Sequence, residues 1–217
     1  LSGHGQDFAL IESLLLRRGR YPLLRWHLDR LARSAAFFHF PLSRPDLRDA
    51  LLDLALRHPE GSHKVRLLLS PEGSLCCEAA PILPTRAPLR VGWAAAAVHS
   101  ADLLLRHKTT RRAVYDAALA GRPGCSDVLL CNERGEVTES SRANLVLHLE
   151  GRLVTPPVSC GLLPGTFRAM LLARGAVRER VCTPGDVARA RAVWLVNGVR
   201  GWMRCEVDAL RGGGAVR

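Results

Sequence analysis

Lys108 is one of only two lysines in a chain otherwise basic through arginine, and it stands in the run Arg106-His107-Lys108-Thr109-Thr110-Arg111-Arg112. Its amine can lose a proton and form a Schiff base with a carbonyl, a chemistry closed to a guanidinium. Desolvation and cationic neighbours such as Arg106 favour the neutral amine that proton abstraction requires. The bland alternative is a solvated lysine at a helix start. A second stretch, Asn132-Glu133-Arg134-Gly135-Glu136-Val137-Thr138-Glu139, reads as a hairpin running into Ser140-Ser141-Arg142-Ala143-Asn144. Glu139 follows its returning strand, where a carboxylate can be buried beside a cation; otherwise it is an exposed loop residue like Glu133 or Glu136. Arg30 could give an anion a bidentate fork, unless it is an ordinary surface arginine of its helix. Thr166 and Phe167 open a helix after Gly165, where backbone amides point outward at the positive end. Gly198 and Val199 offer further amides at the end of an apolar strand. Arg106 and Arg200 are candidates for substrate carboxylates, because two cations suit a dianion better than a simple amino acid.

These residues need elements to hold them, and the pattern is mixed α/β. Phe8 to Leu16 is an apolar run of strand type, followed by a turn at Arg18-Gly19-Arg20. A helix begins near Pro22, with Leu24, Leu28, Leu31, Ala35 and Phe38 at helical spacing and a polar row of His27, Arg30 and Ser34 beside that stripe. Pro45 to Leu56 is another helix. Lys64 to Ser70 and Cys76 to Ala80 form a strand pair across Pro71-Glu72-Gly73. The three prolines within 81–88 mark an extended connector, and a strand over 89–98 leads toward Lys108. The boundary is expected between His99 and His107, giving a smaller α/β domain over 1–103 and a larger one over 104–217. Beyond Lys108 the pattern predicts a helix over 111–120, strands over 126–131 and 136–138, and a hairpin of 143–149 with 152–155. A helix from Gly165 to Gly175, a capped helix start at Thr183-Pro184-Gly185-Asp186 and an apolar strand over 192–196 complete it.

Composition narrows the classes. No apolar run approaches the length of a bilayer span, and Leu1 to Gln6 has neither a basic leader nor an apolar core of the secretory kind. A cytoplasmic protein without a membrane partner is expected. The net charge of +11 raises nucleic-acid binding, yet the arginines are scattered and aromatic residues make up 5% of the chain, which leaves few stacking platforms for bases. No nucleic-acid partner is expected. The seven cysteines lack paired metal-ligand spacing and read as mostly reduced core residues, so no metal is expected.

Three separated stretches carry a resemblance: Asp7 to Leu14 with His27-Leu28-Asp29-Arg30-Leu31; His107-Lys108-Thr109-Thr110 through Tyr115-Asp116; and Asn132 to Glu139 on to Asn197-Gly198-Val199-Arg200-Gly201. In order and spacing they resemble the fold-type IV pyridoxal-phosphate enzymes, the group of branched-chain and D-amino-acid aminotransferases and of aminodeoxychorismate lyase, with the lyase branch the nearest. The resemblance implies two mixed α/β domains with pyridoxal 5'-phosphate at their interface, and a homodimer. It implies that Lys108 carries the cofactor and shuttles protons, and that Glu139 pairs with the pyridine nitrogen and keeps it protonated. Arg30, Thr166, Phe167, Gly198 and Val199 would hold the phosphate, although many relatives have a serine where this chain has Gly198. The implied reaction converts 4-amino-4-deoxychorismate to 4-aminobenzoate and pyruvate, a step toward folate. The same anchors serve an aminotransferase acting on D-amino or branched-chain amino acids. Tyr115 and Asp116 are shared with the lyase branch without an assigned role. A rival of another class is a cofactor-free binding module, such as a partner domain fused to a chorismate-using synthase.

Overall fold

The computed structural model describes residues 7–85 and 87–210. Leu1 to Gln6, on which the leader expectation rests, lie outside the described residues. The chain divides into two compact units. One runs to Pro84 and takes back His107–Arg111, and the other comprises Thr85–Arg106 and the residues from Arg112 onward.

The first unit contains β1 (Leu10–Arg17), α1 (Leu24–Phe38), α2 (Arg44–Arg57), β2 (Ser62–Leu69) and β3 (Leu75–Pro81). The three strands form an antiparallel sheet in the order β1-β2-β3. Leu10, Leu14 and Leu16 of β1 are buried, and the two-residue alternation puts Glu12 on their face. Helix α1 packs on β1, and α2 packs on β3. Ser43 starts α2 as its cap, accepting the Asp46 amide at 3.3 Å. The polar row of α1 is not at the margin of the buried stripe. His27, Arg30 and Ser34 are themselves buried, which polar side chains tolerate only with partners, and Glu12 is one. Along the other edge of β1 runs the Lys108 segment. Thr109 bridges Leu10, the Ile11 amide donates to the Lys108 carbonyl at 2.8 Å, and the Thr110 amide donates to the Ala9 carbonyl at 2.9 Å.

The second unit contains β4 (Leu89–Trp93), α3 (Ala113–Ala120), β5 (Asp127–Cys131), β6 (Val137–Ser140), β7 (Asn144–Leu149), β8 (Arg152–Thr155), α4 (Thr166–Ala173), β9 (Arg178–Glu179), α5 (Pro184–Arg189), β10 (Ala192–Asn197) and β11 (Gly201–Val207). The sheet runs β10-β11-β4-β5-β6-β7-β8-β9, and β10 also pairs with β7, which closes six strands into a ring. Its interior holds Leu89, Val91, Leu129, Val137, Leu145, Leu147 and Leu195. Outside, Leu171 of α4 packs with Val146 and Val196. The hairpin β7-β8 turns through Glu150 and Gly151, both at positive φ (51° and 75°), the pairing that matches strand twist. Thr183 and Asp186 form a reciprocal capping box at the start of α5.

The units divide the chain elsewhere than at 103/104, because β4 pairs in parallel with both β5 and β11. The strand expected over 89–98 stops at Trp93, and Val98 keeps only an isolated bridge to Asn132. Cys160, Cys182 and Cys205 are buried, whereas Cys77, Cys125 and Cys131 are half-buried and Cys76 is exposed. Cys76 therefore departs from the core reading, since it lies on the open face of β3. Among the described residues no helix is long and apolar enough to cross a membrane, and no group of three His, Cys, Asp or Glu side chains could hold a metal ion.

Candidate active site

In the first unit, Lys108 is half-buried, and its backbone is fixed to β1 by the two hydrogen bonds that flank it. The next residue, Thr109, is buried, and its hydroxyl accepts the Arg111 amide at 3.2 Å. His107 accepts or donates at Nδ1 with the Ser34 hydroxyl at 2.9 Å and stacks on Phe37 with ring centroids 4.5 Å apart. The backbone segment carrying the amine is thus held on both sides of Lys108.

Arg30 is not a surface residue of α1. Its guanidinium grips Glu12 as a fork, Nε to Oε1 at 2.8 Å and Nη2 to Oε2 at 2.6 Å, and His27 Nδ1 reaches the same Oε2 at 2.6 Å. Burial alone would push the Glu12 carboxyl up, but the Arg30 charge, with hydrogen bonds from Arg30 and His27, outweighs it and holds the group at about 2. Glu12 is therefore a carboxylate at any neutral pH, and it aims the guanidinium.

In the second unit, all four residues of β6 are buried, Glu139 among them. Glu139 Oε1 accepts the Tyr115 hydroxyl at 2.9 Å and the Leu163 amide at 3.0 Å, and Oε2 accepts Asn144 Nδ2 at 3.1 Å. The corner after Glu139 is frozen by another buried carboxylate. Asp127 accepts the Ser141 amide and hydroxyl at 3.0 and 2.6 Å, the Ser140 hydroxyl at 3.0 Å and the Val128 amide at 2.8 Å. That corner delivers Asn144, whose Nδ2 also donates to the Leu163 carbonyl at 2.8 Å.

Leu163 leads into Gly165, the cap of α4. A Cβ built at Gly165 would lie 1.9 Å from Asn144 Oδ1, so any side chain there must displace Asn144. Thr166 is buried and Phe167 half-buried at this helix start. Gly198 and Val199 lie in the turn from β10 to β11. The Asn197 carbonyl oxygen of the side chain accepts the Val199 and Arg200 amides at 3.1 and 2.9 Å, so the Val199 amide is already engaged within its own turn. Arg106 is half-buried, and its Nε is buried without a hydrogen-bond partner among the described residues. Arg200 is exposed.

Glu12, Asp127 and the bond from Tyr115 to Glu139 stand outside the candidate set that the sequence offers. Glu12 had a local signal, a lone carboxylate in an all-leucine strand face. Asp127 and the Tyr115 to Glu139 bond had none, since they rest on contacts between residues far apart in the chain.

A family model described as Amino-transferase class IV matches residues 9–206. The chain is 40% identical over 77 residues to the Schizosaccharomyces pombe protein named "Putative aminodeoxychorismate lyase", a match that spans 34% of this chain and only 33% of that protein. It is 28% identical over 238 residues to the Mycobacterium tuberculosis protein named "Bifunctional aminodeoxychorismate lyase / D-amino acid transaminase", covering 89% of this chain and 81% of that one. Its fold is similar to the crystal structure of a "Putative amino-acid aminotransferase" from Mesorhizobium loti, with a TM-score of 0.87 and 34% identity over 93% of this chain and 100% of that chain.

Proposed function

We propose a function from one premise: this chain belongs to the class IV amino-transferase family. Its mixed α/β fold is that of the fold-type IV enzymes, and it is an enzyme of the lyase or aminotransferase kind. Our reading is a pyridoxal-phosphate-dependent 4-amino-4-deoxychorismate lyase that releases 4-aminobenzoate and pyruvate.

The observation that carries the cofactor is the Glu139 carboxylate, buried and bonded by donors from Tyr115, Leu163 and Asn144. Donors favour the charged form, and a buried anion of this kind suits a protonated ring nitrogen. The glycine at 165 leaves backbone, and no side chain, beside the first amides of α4, which suits a phosphate. The resemblance assigns Arg30 to the phosphate as well, and its Nε and Nη2 already donate to Glu12. Gly198 and Val199 are the weaker part of the assignment, because Asn197 already takes the Val199 amide. When bound, pyridoxal phosphate supplies an electron sink for the pair left behind as a proton departs.

Lys108 does the proton work. Its amine takes the proton from the amine-bearing ring carbon of the substrate and gives a proton to the departing enolpyruvyl group, which leaves as pyruvate. Loss of that group leaves an aromatic ring, so the step runs strongly downhill. Glu139 keeps its negative charge throughout and holds a proton at the ring nitrogen. Arg106, whose buried Nε has no partner among the described residues, and Arg200 suit the two substrate carboxylates.

Aminotransfer from D-amino or branched-chain amino acids is the second reading, and the bifunctional M. tuberculosis relative favours it. Incubation with 4-amino-4-deoxychorismate and no keto acid separates the two. The lyase yields pyruvate and 4-aminobenzoate in equal amounts. Absence of pyruvate, with the cofactor converted to its amine form by D-alanine or a branched-chain amino acid, would establish the aminotransferase instead. On this reading the enzyme works as a homodimer in the cytoplasm, which size measurement and fractionation would check.

A further inference from the structure

Tyr115 lies in the first turns of α3, a helix with no fully buried residue, yet its hydroxyl reaches a buried carboxylate at 2.9 Å. Its ring packs against Val98, Leu105 and Leu130. Arg112 lies 4.9 Å from the ring centroid and donates through Nη2 to the Ser141 carbonyl at 2.5 Å, which ties the start of α3 to the corner following Glu139. Neither contact is needed to fill space alone. A phenylalanine would pack equally well against the same apolar residues, so the hydroxyl is the part left to explain.

We propose that Tyr115 is a positioning residue that acts through Glu139: its hydroxyl fixes the carboxylate and lowers its basicity, so that a proton shared with a bound pyridine nitrogen stays on the nitrogen. The role rests on the pyridoxal-phosphate reading above. The Leu163 amide that donates to Glu139 belongs to the backbone, and Asn144, a second donor, is fixed by its other bond to the Leu163 carbonyl. Tyr115 is the donor whose strength a side-chain change can remove without disturbing that loop. Burial, and then the Glu139 charge beside it, push the phenol far above its ordinary range, so it donates at every pH the enzyme meets. A neutral donor on a carboxylate stabilises the anion. Removing a hydrogen bond to a charged group changes its proton affinity roughly tenfold to a hundredfold, or about one to two pH units.

The test is Tyr115→Phe, read by nitrogen NMR of bound cofactor labelled at the ring nitrogen and by carbon NMR of the glutamate carboxyls in the cofactor-free protein. In the variant the ring-nitrogen resonance should move toward its unprotonated position and kcat should fall about tenfold, while cofactor affinity stays within about threefold. In the cofactor-free protein, the Glu139 carboxyl should titrate at higher pH than in the wild type. A role limited to packing would leave both resonances where they were. Cofactor bound at Lys108 with an unmoved ring-nitrogen signal would overturn the role of Tyr115 alone. Failure of the wild-type protein to bind pyridoxal phosphate would overturn the cofactor reading and this role with it.

Discussion

Arg30→Met should destabilise the protein far more than removing a surface arginine does. The guanidinium and Glu12 are buried together, and taking away one partner leaves an uncompensated charge, at a cost of about 3–5 kcal/mol. The Glu12 carboxyl is held at about 2 against an ordinary value of 4.5, a difference that corresponds to about 3 kcal/mol. Because the folded value is depressed, this contribution is complete above about pH 4.5 and disappears as the pH falls toward 2. At pH 7 the melting temperature of Arg30→Met should drop by roughly 6–20 °C. The double variant Glu12→Gln/Arg30→Met carries no unpaired charge and keeps a polar partner for His27, so it should regain most of the loss. Thermal melts of the three proteins by circular dichroism, at pH 7 and at pH 4.5, are the assay. The Arg30→Met deficit should narrow at the lower pH as its buried Glu12 takes up a proton. A deficit under about 1 kcal/mol at pH 7, or a double variant as unstable as the single one, would refute the buried pair as described.

Other outcomes follow from the same geometry. Lys108→Ala should lose essentially all turnover, since acid-base catalysis alone contributes roughly 100-fold to 10,000-fold; steady-state kinetics decides it. Glu139→Gln should retain the cofactor, as measured by equilibrium binding, and lower kcat sharply because an uncharged partner no longer favours the protonated ring. Gly165→Ala must drive Asn144 from Glu139 and Leu163, so it should lose about 2 kcal/mol or more of stability and weaken cofactor binding. A well-folded Gly165→Ala with wild-type affinity would contradict the packing at that helix start.

Much of the fold was readable because its signals are local. The primed turn at Glu150 and Gly151, the capping box at Thr183 and the glycine before α4 are each written within a few residues. Strand β11 carries a local signal too: Trp202, Arg204 and Glu206 are exposed while Met203, Cys205 and Val207 turn inward, a period of two. The two-residue β9 offers no pattern at all. Membership of β4 in the second sheet could not be seen, because its parallel pairing with β11 depends on residues more than a hundred positions away and has no local signature. Among the candidate site residues, type and motif pointed to Lys108, Arg30 and Glu139, but not to what holds them. Helical spacing set Arg30 beside His27 without revealing Glu12, and nothing near Glu139 announced Tyr115. Such partners are chosen by burial, which demands a hydrogen bond for every polar atom and leaves the choice of donor to the tertiary fold.

Mapping a covalent link decides whether Lys108 carries the cofactor. Protein equilibrated with pyridoxal phosphate is reduced with borohydride and digested, and the modified peptide is sequenced by mass spectrometry. The label should reside on Lys108 alone, and Lys108→Ala should take up none. Stoichiometric labelling of Lys64, the other lysine of the chain, or no labelling of the wild-type protein, would rule Lys108 out as the attachment point.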